Sequence, residues 1–249
     1  MKANIKLTIQ YDGTNFNGWQ VQKMHPQART VQGVLEKALE RIVKEPIKLI
    51  GAGRTDSGVH AKGQVANFHT TRPIPVEKWP IALNSILPPD VAVIEAEEVP
   101  EKFHARYWAK RKTYYYYILN RRYPDVFLRN YAYYISQKLN LEDMRRAAQL
   151  ILGTHDFRSF CAAGSSVKNY RRTVFEADFS FKGELLIFKI TADGFLHKMV
   201  RLIMGTLIEI GRGKYPSSWM KEVLEARDVK KSGPAAPPHG LYLCKVYYE

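Results

Sequence analysis

The chain has 249 residues, 45% of them hydrophobic and 25% charged, enough apolar material to bury a core in one large domain or two modest ones. Its apolar runs are too short to span a bilayer, and residues 1–10 alternate charged and apolar positions, unlike the continuous apolar stretch of a signal peptide. Lys and Arg number 38 against 24 Asp and Glu, giving a formal net charge of +14.

These features predict a cytoplasmic protein with no membrane partner. The two cysteines, Cys161 and Cys244, are far apart and outside any Cys-x-x-Cys pair. That spacing argues against a disulfide framework or a structural zinc site. The positive charge is uneven. Residues 1–100 hold 12 basic and 10 acidic side chains, whereas residues 101–249 hold 26 and 14. An excess concentrated in one half, interleaved with aromatics, suits a polyanion such as nucleic acid. The plainer reading is a generally basic protein.

Ile5 to Tyr11 alternates apolar and polar residues and predicts a strand. Thr30 can cap a helix carrying Val31, Val34, Leu35, Ala38, Leu39 and Ile42 at helical spacing, ending before Pro46. Ile47 to Gly51 and Val65 to Thr70 read as strands. The second half repeats this order. It has a strand from Thr113 to Leu119, then a helix from Leu141 to Leu152 with Asn140 as N-cap and Gly153 as C-cap. Strands follow at Thr173 to Phe181 and Leu185 to Ala192. Leu196 to Ile210 is apolar on most of its surface and predicts a buried helix. Pro216 to Ala226 gathers Trp219, Met220, Val223 and Leu224 on one side. Ser232 to Gly240 reads as a Pro/Gly-rich loop before a last strand, Leu241 to Tyr248. The expected fold is α+β: two similar lobes of mixed or antiparallel sheet with helices on one face. The lobes are expected at 1–105 and 106–249, with a cleft between them for a large substrate.

Three segments carry candidate chemistry. The first is Gly51-Ala52-Gly53-Arg54-Thr55-Asp56-Ser57-Gly58-Val59-His60. It lacks the Gly-Lys-Ser/Thr of a phosphate loop, and Asp56 stands where a dinucleotide fingerprint needs glycine. The glycines can instead hold Arg54 and Asp56 in a tight exposed loop. An ordinary turn, with Asp56 bonded to nearby amides, fits the spacing as well. The second runs from Phe103-His104-Ala105-Arg106 through Lys110-Arg111-Lys112 to Tyr114-Tyr115-Tyr116-Tyr117. Along a strand Tyr114 and Tyr116 share one face, and aromatics beside cations can stack bases and grip phosphates. Simple core packing accounts for at least half of these tyrosines. The third, Asp193 to Arg201, places Arg201 in the second turn of a helix expected to be buried, where an arginine needs a partner, usually a carboxylate. A structural salt bridge is the plainer reading. His60, His155 and His197 are not spaced as metal ligands and read as packing or hydrogen-bonding residues.

With these residues in place, the chain resembles the tRNA pseudouridine synthase A family along nearly its whole length. The matching motifs are Tyr11-Asp12-Gly13 with Gly18-Trp19-Gln20, Gly53 to His60, Phe103 to Arg106, Lys112-x-Tyr114-x-Tyr116, Met199-Val200-Arg201 and Gly240-Leu241-Tyr242-Leu243. Ser57 stands where alanine is common, and Lys198 where histidine is one familiar choice. The resemblance implies a cofactor-free, metal-free homodimer with a positively charged cleft. Its substrate would be tRNA, at uridines 38, 39 and 40 of the anticodon arm. It implies Asp56 as the essential catalytic carboxylate, Tyr114 as the base-stacking tyrosine and Arg201 as the partner of the aspartate. Arg54 would help extrude the base, which costs a few kcal/mol from a duplex. Lys110 and Arg111 are expected to contact phosphates. Whether Asp56 attacks the sugar, attacks the base or removes a sugar proton stays open at this stage.

Two other classes compete. A glycosidase or nucleoside hydrolase would use two carboxylates. Asp193 is the only further acid in the three segments. A non-catalytic RNA-binding module would explain the charge and the aromatics, but not a single acid set in the Gly53-Arg54-Thr55-Asp56 loop.

Overall fold

The computed structural model describes residues 3–22, 24–164 and 167–249. In chain order these hold β1 (Ala3–Tyr11), α1 (Val31–Val43), β2 (Ile50–Gly51), β3 (His60–Thr70), α2 (Trp79–Asn84), β4 (Val91–Val99) and β5 (Arg111–Asn120). There follow β6 (Tyr133–Ile135), α3 (Leu141–Gln149), β7 (Gly153–Asp156), β8 (Arg171–Lys182), β9 (Leu185–Ala192), α4 (Met199–Gly211), α5 (Trp219–Ala226) and β10 (Leu241–Tyr247). The class is α+β, with mostly antiparallel pairing. No helix among the described residues is long and apolar enough to cross a membrane.

The chain forms two compact units, Met1–Lys110 with Tyr242–Glu249, and Arg111–Leu241. The terminal strand packs with the first unit. Tyr242 and Leu243 pair in parallel with His60 and Ala61, and the Lys110 N–H donates to the Tyr247 carbonyl at 2.8 Å. Pairing over such a separation leaves no local signature in the sequence.

In the first unit β1 lies between β3 and β4, antiparallel to both, and β2 adds to β3. Leu7 and Ile9 of β1 are fully buried. Thr30 caps α1 as expected, its hydroxyl accepting from the Gly33 N–H at 3.3 Å, a contact worth about 1 kcal/mol. Val31, Leu35, Ala38, Leu39 and Val43 form the buried face of α1. Truncating Leu35 to alanine should cost about 2–5 kcal/mol in lost burial and residual cavity. The strand expected from Ile47 shrinks to Ile50–Gly51, because the backbone of Leu49 bonds Glu36 and Gln32 of α1 instead of a neighbouring strand.

The second unit has the sheet order β5-β9-β8-β7, all antiparallel, with β6 parallel to β5. Asn140 caps α3 as expected, accepting from the Asp143 N–H at 3.2 Å. The helix ends at Gln149 with Leu150 as its cap. Gly153, at φ +90°, therefore opens β7 opposite Val174 and is not the helix C-cap. α4 begins at Met199, after Lys198 at φ +60°, three residues later than the apolar pattern suggests. Every α4 residue is buried except Arg201, which is half-buried and lies in the first turn.

Candidate active site

The Asp56 loop leaves β2 and enters β3, and the two early motifs of the chain form its floor. The Thr55 hydroxyl meets the Tyr11 hydroxyl at 2.8 Å, and the Thr55 carbonyl accepts from the Trp19 N–H at 3.1 Å. The Gly53 carbonyl accepts from Gln64 Nε2 at 2.9 Å. Ser57 Oγ donates to the Phe16 carbonyl at 3.0 Å, and the Val59 N–H returns to the Asp56 carbonyl at 3.2 Å. Two glycines are needed for this approach. A Cβ on Gly13 would lie 2.0 Å from the Val59 carbonyl oxygen, and one on Gly18, at φ +85°, 2.7 Å from that of Thr55. Behind them, Arg29 forms a two-pronged bond to Asp90 at 2.7 and 2.8 Å and covers the Phe16 ring at 4.1 Å. Gln20 and the Val21 N–H both donate to Gln32 Oε1 of α1.

The result is alternation. Thr55 is buried, Arg54 is exposed and Asp56 is half-buried. A guanidinium and a carboxylate two residues apart are thus presented from a loop whose intervening backbone is held on several sides. Sequence reasoning singled out Arg54 and Asp56. It missed the holders Thr55 and Gln64, which sit within or next to the motif but show no pattern of their own.

In the second unit the tyrosine strand is mostly core. Tyr114, Tyr116 and Tyr117 are buried and Tyr115 is half-buried. Tyr114 meets Phe195 edge to face at 5.0 Å. The Tyr116 hydroxyl donates to the Pro237 carbonyl at 2.8 Å. Burial and the nearby Tyr133 push its phenol up, Arg201 pulls it down, and the net rise keeps it neutral. Arg201 Nε donates to the Ala236 carbonyl at 2.7 Å. The structure thus places Tyr114, Tyr116 and Arg201 in one unit and Arg54 and Asp56 in the other. Lys110 and Arg111 straddle the boundary of the two units, both exposed, and the Arg111 guanidinium sits 5.7 Å from the Phe175 ring.

The remaining motif residues have structural work. The Phe103 carbonyl accepts from Asn4 Nδ2 at 3.0 Å, and the Ala105 N–H donates to Asn67 Oδ1 at 2.9 Å. The Tyr248 hydroxyl donates to the Ala105 carbonyl at 2.8 Å. His60 is buried, accepts from the Gly13 N–H at 3.0 Å through Nδ1 and stacks on Tyr242. His155 donates to the Leu152 carbonyl at 2.7 Å. Among the described residues no three His, Cys, Asp or Glu side chains cluster as metal ligands. Asp193 accepts from the Thr173 N–H at 3.0 Å, which gives the only further acid of the three segments a role in holding the end of β8.

The second unit holds 22 basic and 12 acidic side chains, a balance that suits a polyanion such as nucleic acid. A family model described as tRNA pseudouridine synthase matches residues 7–108 and 147–249. The tRNA pseudouridine synthase A of Moorella thermoacetica is 52% identical over 246 residues, covering 98% of this chain and 99% of that protein. That of Bacillus subtilis is 50% identical over 247 residues with the same coverage. A crystal structure of an archaeal box H/ACA ribonucleoprotein complex aligns at 12% identity with a TM-score of 0.35, over 92% of this chain and 60% of that one, too remote to bear on the argument. The chain belongs to the tRNA pseudouridine synthase family, and its chemistry is that of an isomerase.

Proposed function

We propose that this enzyme isomerises uridine to pseudouridine at positions 38, 39 and 40 of the tRNA anticodon arm, with Asp56 as its essential carboxylate. The reaction breaks the bond from N1 of uracil to the ribose, turns the base and rejoins it through C5, which loses a proton while N1 gains one. The change is redox-neutral and transfers nothing outward, so it calls for neither a cofactor nor a metal.

The observation that carries this reading is the held loop, which presents Arg54 and Asp56 while fixing the residue between them. Arg54, exposed, helps extrude the target base or fills the gap it leaves. Tyr114 stacks on the flipped base. Arg201 pairs with Asp56 and orients it. Lys110 and Arg111 bind phosphates. The enzyme works in the cytoplasm as a homodimer, with the aspartate loop on the N-terminal unit and the stacking tyrosine and arginine on the C-terminal one.

The test is incubation with an unmodified tRNA transcript, followed by carbodiimide-blocked primer extension to map pseudouridine. Wild type should modify the three anticodon-arm positions. Asp56→Asn, which keeps the size and removes the charge, should bind the transcript and leave it unmodified. Substantial pseudouridine formation by that variant would remove Asp56 from the mechanism.

A further inference from the structure

Thr55 stands directly before Asp56, and the contact of its side chain is unusual for a core position. Tyr11 is the last residue of β1, 4% exposed, and Thr55 is 7% exposed. A phenylalanine would fill the space of the Tyr11 ring equally well. Burying two hydroxyls is costly unless they satisfy each other, and at 2.8 Å these two do. Gln64, fully buried, also lies within hydrogen-bonding reach of the Tyr11 hydroxyl and holds the Gly53 carbonyl at 2.9 Å. One small network therefore grips the loop at both residues that flank Arg54.

We infer that the Tyr11 hydroxyl is a positioning group for the isomerisation: through Thr55 it sets the direction of the Asp56 carboxylate. The inference rests on the reading of Asp56 as the essential carboxylate. The other holds on Thr55 and Gly53 act on backbone carbonyls. The Tyr11 contact acts on the Thr55 side chain, and it ties the loop to a strand paired on both edges. Loss of this tether leaves the peptide between Thr55 and Asp56 held by the Trp19 N–H but frees the Thr55 side chain, and the loosened loop shifts the carboxylate relative to the reacting atoms. A displacement of about 1 Å can slow an enzyme roughly 100-fold. Burial pushes the Tyr11 phenol up, so it remains a neutral hydroxyl. The role is geometric, and the pH profile of turnover should keep its shape when the hydroxyl is removed.

The experiment compares Tyr11→Phe, Thr55→Val, Thr55→Ser and the double variant Tyr11→Phe/Thr55→Val. Each is assayed on an unmodified tRNA transcript for kcat, KM and pH profile, and each is melted without RNA. Tyr11→Phe and Thr55→Val should lower kcat about 10- to 100-fold while KM moves by less than about two-fold. Thr55→Ser, which keeps the hydroxyl, should retain most of the rate. The double variant leaves no buried hydroxyl without its mate, so it should regain melting temperature lost by the single variants yet stay as slow as they are. A purely structural role predicts the reverse, with rate recovering alongside stability. That recovery, a near wild-type kcat in Tyr11→Phe, or a loss confined to KM would overturn the inference. Asp56→Asn serves as the reference. If it is inactive while Tyr11→Phe is fully active, the inference alone fails. If it keeps the wild-type rate, the reading of Asp56 fails and the inference fails with it.

Discussion

Arg201 and Ala236 hold each other twice: Arg201 Nε donates to the Ala236 carbonyl at 2.7 Å, and the Ala236 N–H donates back to the Arg201 carbonyl at 2.9 Å. One bond uses the side chain and the other the backbone, so the guanidinium is oriented by the loop that precedes β10. Arg201→Ala removes the first bond and keeps the second. It should abolish turnover and lower the melting temperature modestly, by about 2–4 °C for each kcal/mol lost in a chain of this size. Arg201→Lys keeps the charge but not the planar fork, and should remain at least about ten-fold slower than wild type. Single-turnover rates and melting curves check both; wild-type turnover in Arg201→Ala would show that this arginine has no part in the reaction.

Tyr114 is packed edge-on against Phe195, so its ring is already fixed before any base arrives. Tyr114→Phe keeps that packing and loses the hydroxyl, whereas Tyr114→Leu loses the ring. If the tyrosine only stacks, the phenylalanine variant should keep much of the activity and the leucine variant little, since stacking on a base is worth about 1–3 kcal/mol. If the hydroxyl handles the C5 proton, the phenylalanine variant should accumulate a species already cleaved at N1, visible by rapid quench. Full activity in the leucine variant would place Tyr114 outside the site.

Between Lys102 and Arg129 there are eight basic residues and one acid, Asp125, with aromatics among them. Phosphate contacts release counterions, so tRNA affinity should fall linearly on a log–log plot against salt, with a slope of roughly 0.9 per phosphate bound on a duplex. Lys110→Ala/Arg111→Ala should weaken binding to all tRNAs alike and reduce that slope by about two units, one for each contact removed. An unchanged slope and affinity would mean that these side chains only solvate the start of β5.

Glu209 ties the C-terminal end of α4 to the turn that follows. Burial opposes its ionisation, but hydrogen bonds from Lys214 at 2.6 Å and Arg212 at 2.8 Å outweigh that and hold the carboxyl below its ordinary value of 4.5. A carboxyl depressed in the folded state contributes stability that is present above its unfolded pKa and lost as pH falls through the folded one. Lys214 is more than half exposed, so screening limits the contribution to about 1 kcal/mol. Glu209→Gln should melt lower than wild type at pH 7, and the two curves should converge as pH drops below about 4. A melting difference that stays constant down to pH 3 would refute the assignment.

The sequence alone determined the features that depend on neighbours along the chain. The apolar spacing of α1, its Thr30 cap, the Asn140 cap of α3 and the hairpin strands β8 and β9 were all legible, because periodicity and capping act over a few residues. Arg54 and Asp56 were legible as candidates because the glycines allow a tight exposed loop that holds both, and the family resemblance gave them their expected roles. Tertiary structure decided what depends on partners far along the chain. Gly153 opens a strand because Val174 is there to pair with it, and α4 starts late because the turn before it ends at Lys198. The terminal strand belongs with the first unit because His60 and Ala61 accept it. The hold on Asp56 came from the fold as well. Tyr11 and Thr55 lie 44 residues apart, and two buried hydroxyls that satisfy each other leave no mark in the spacing of either segment.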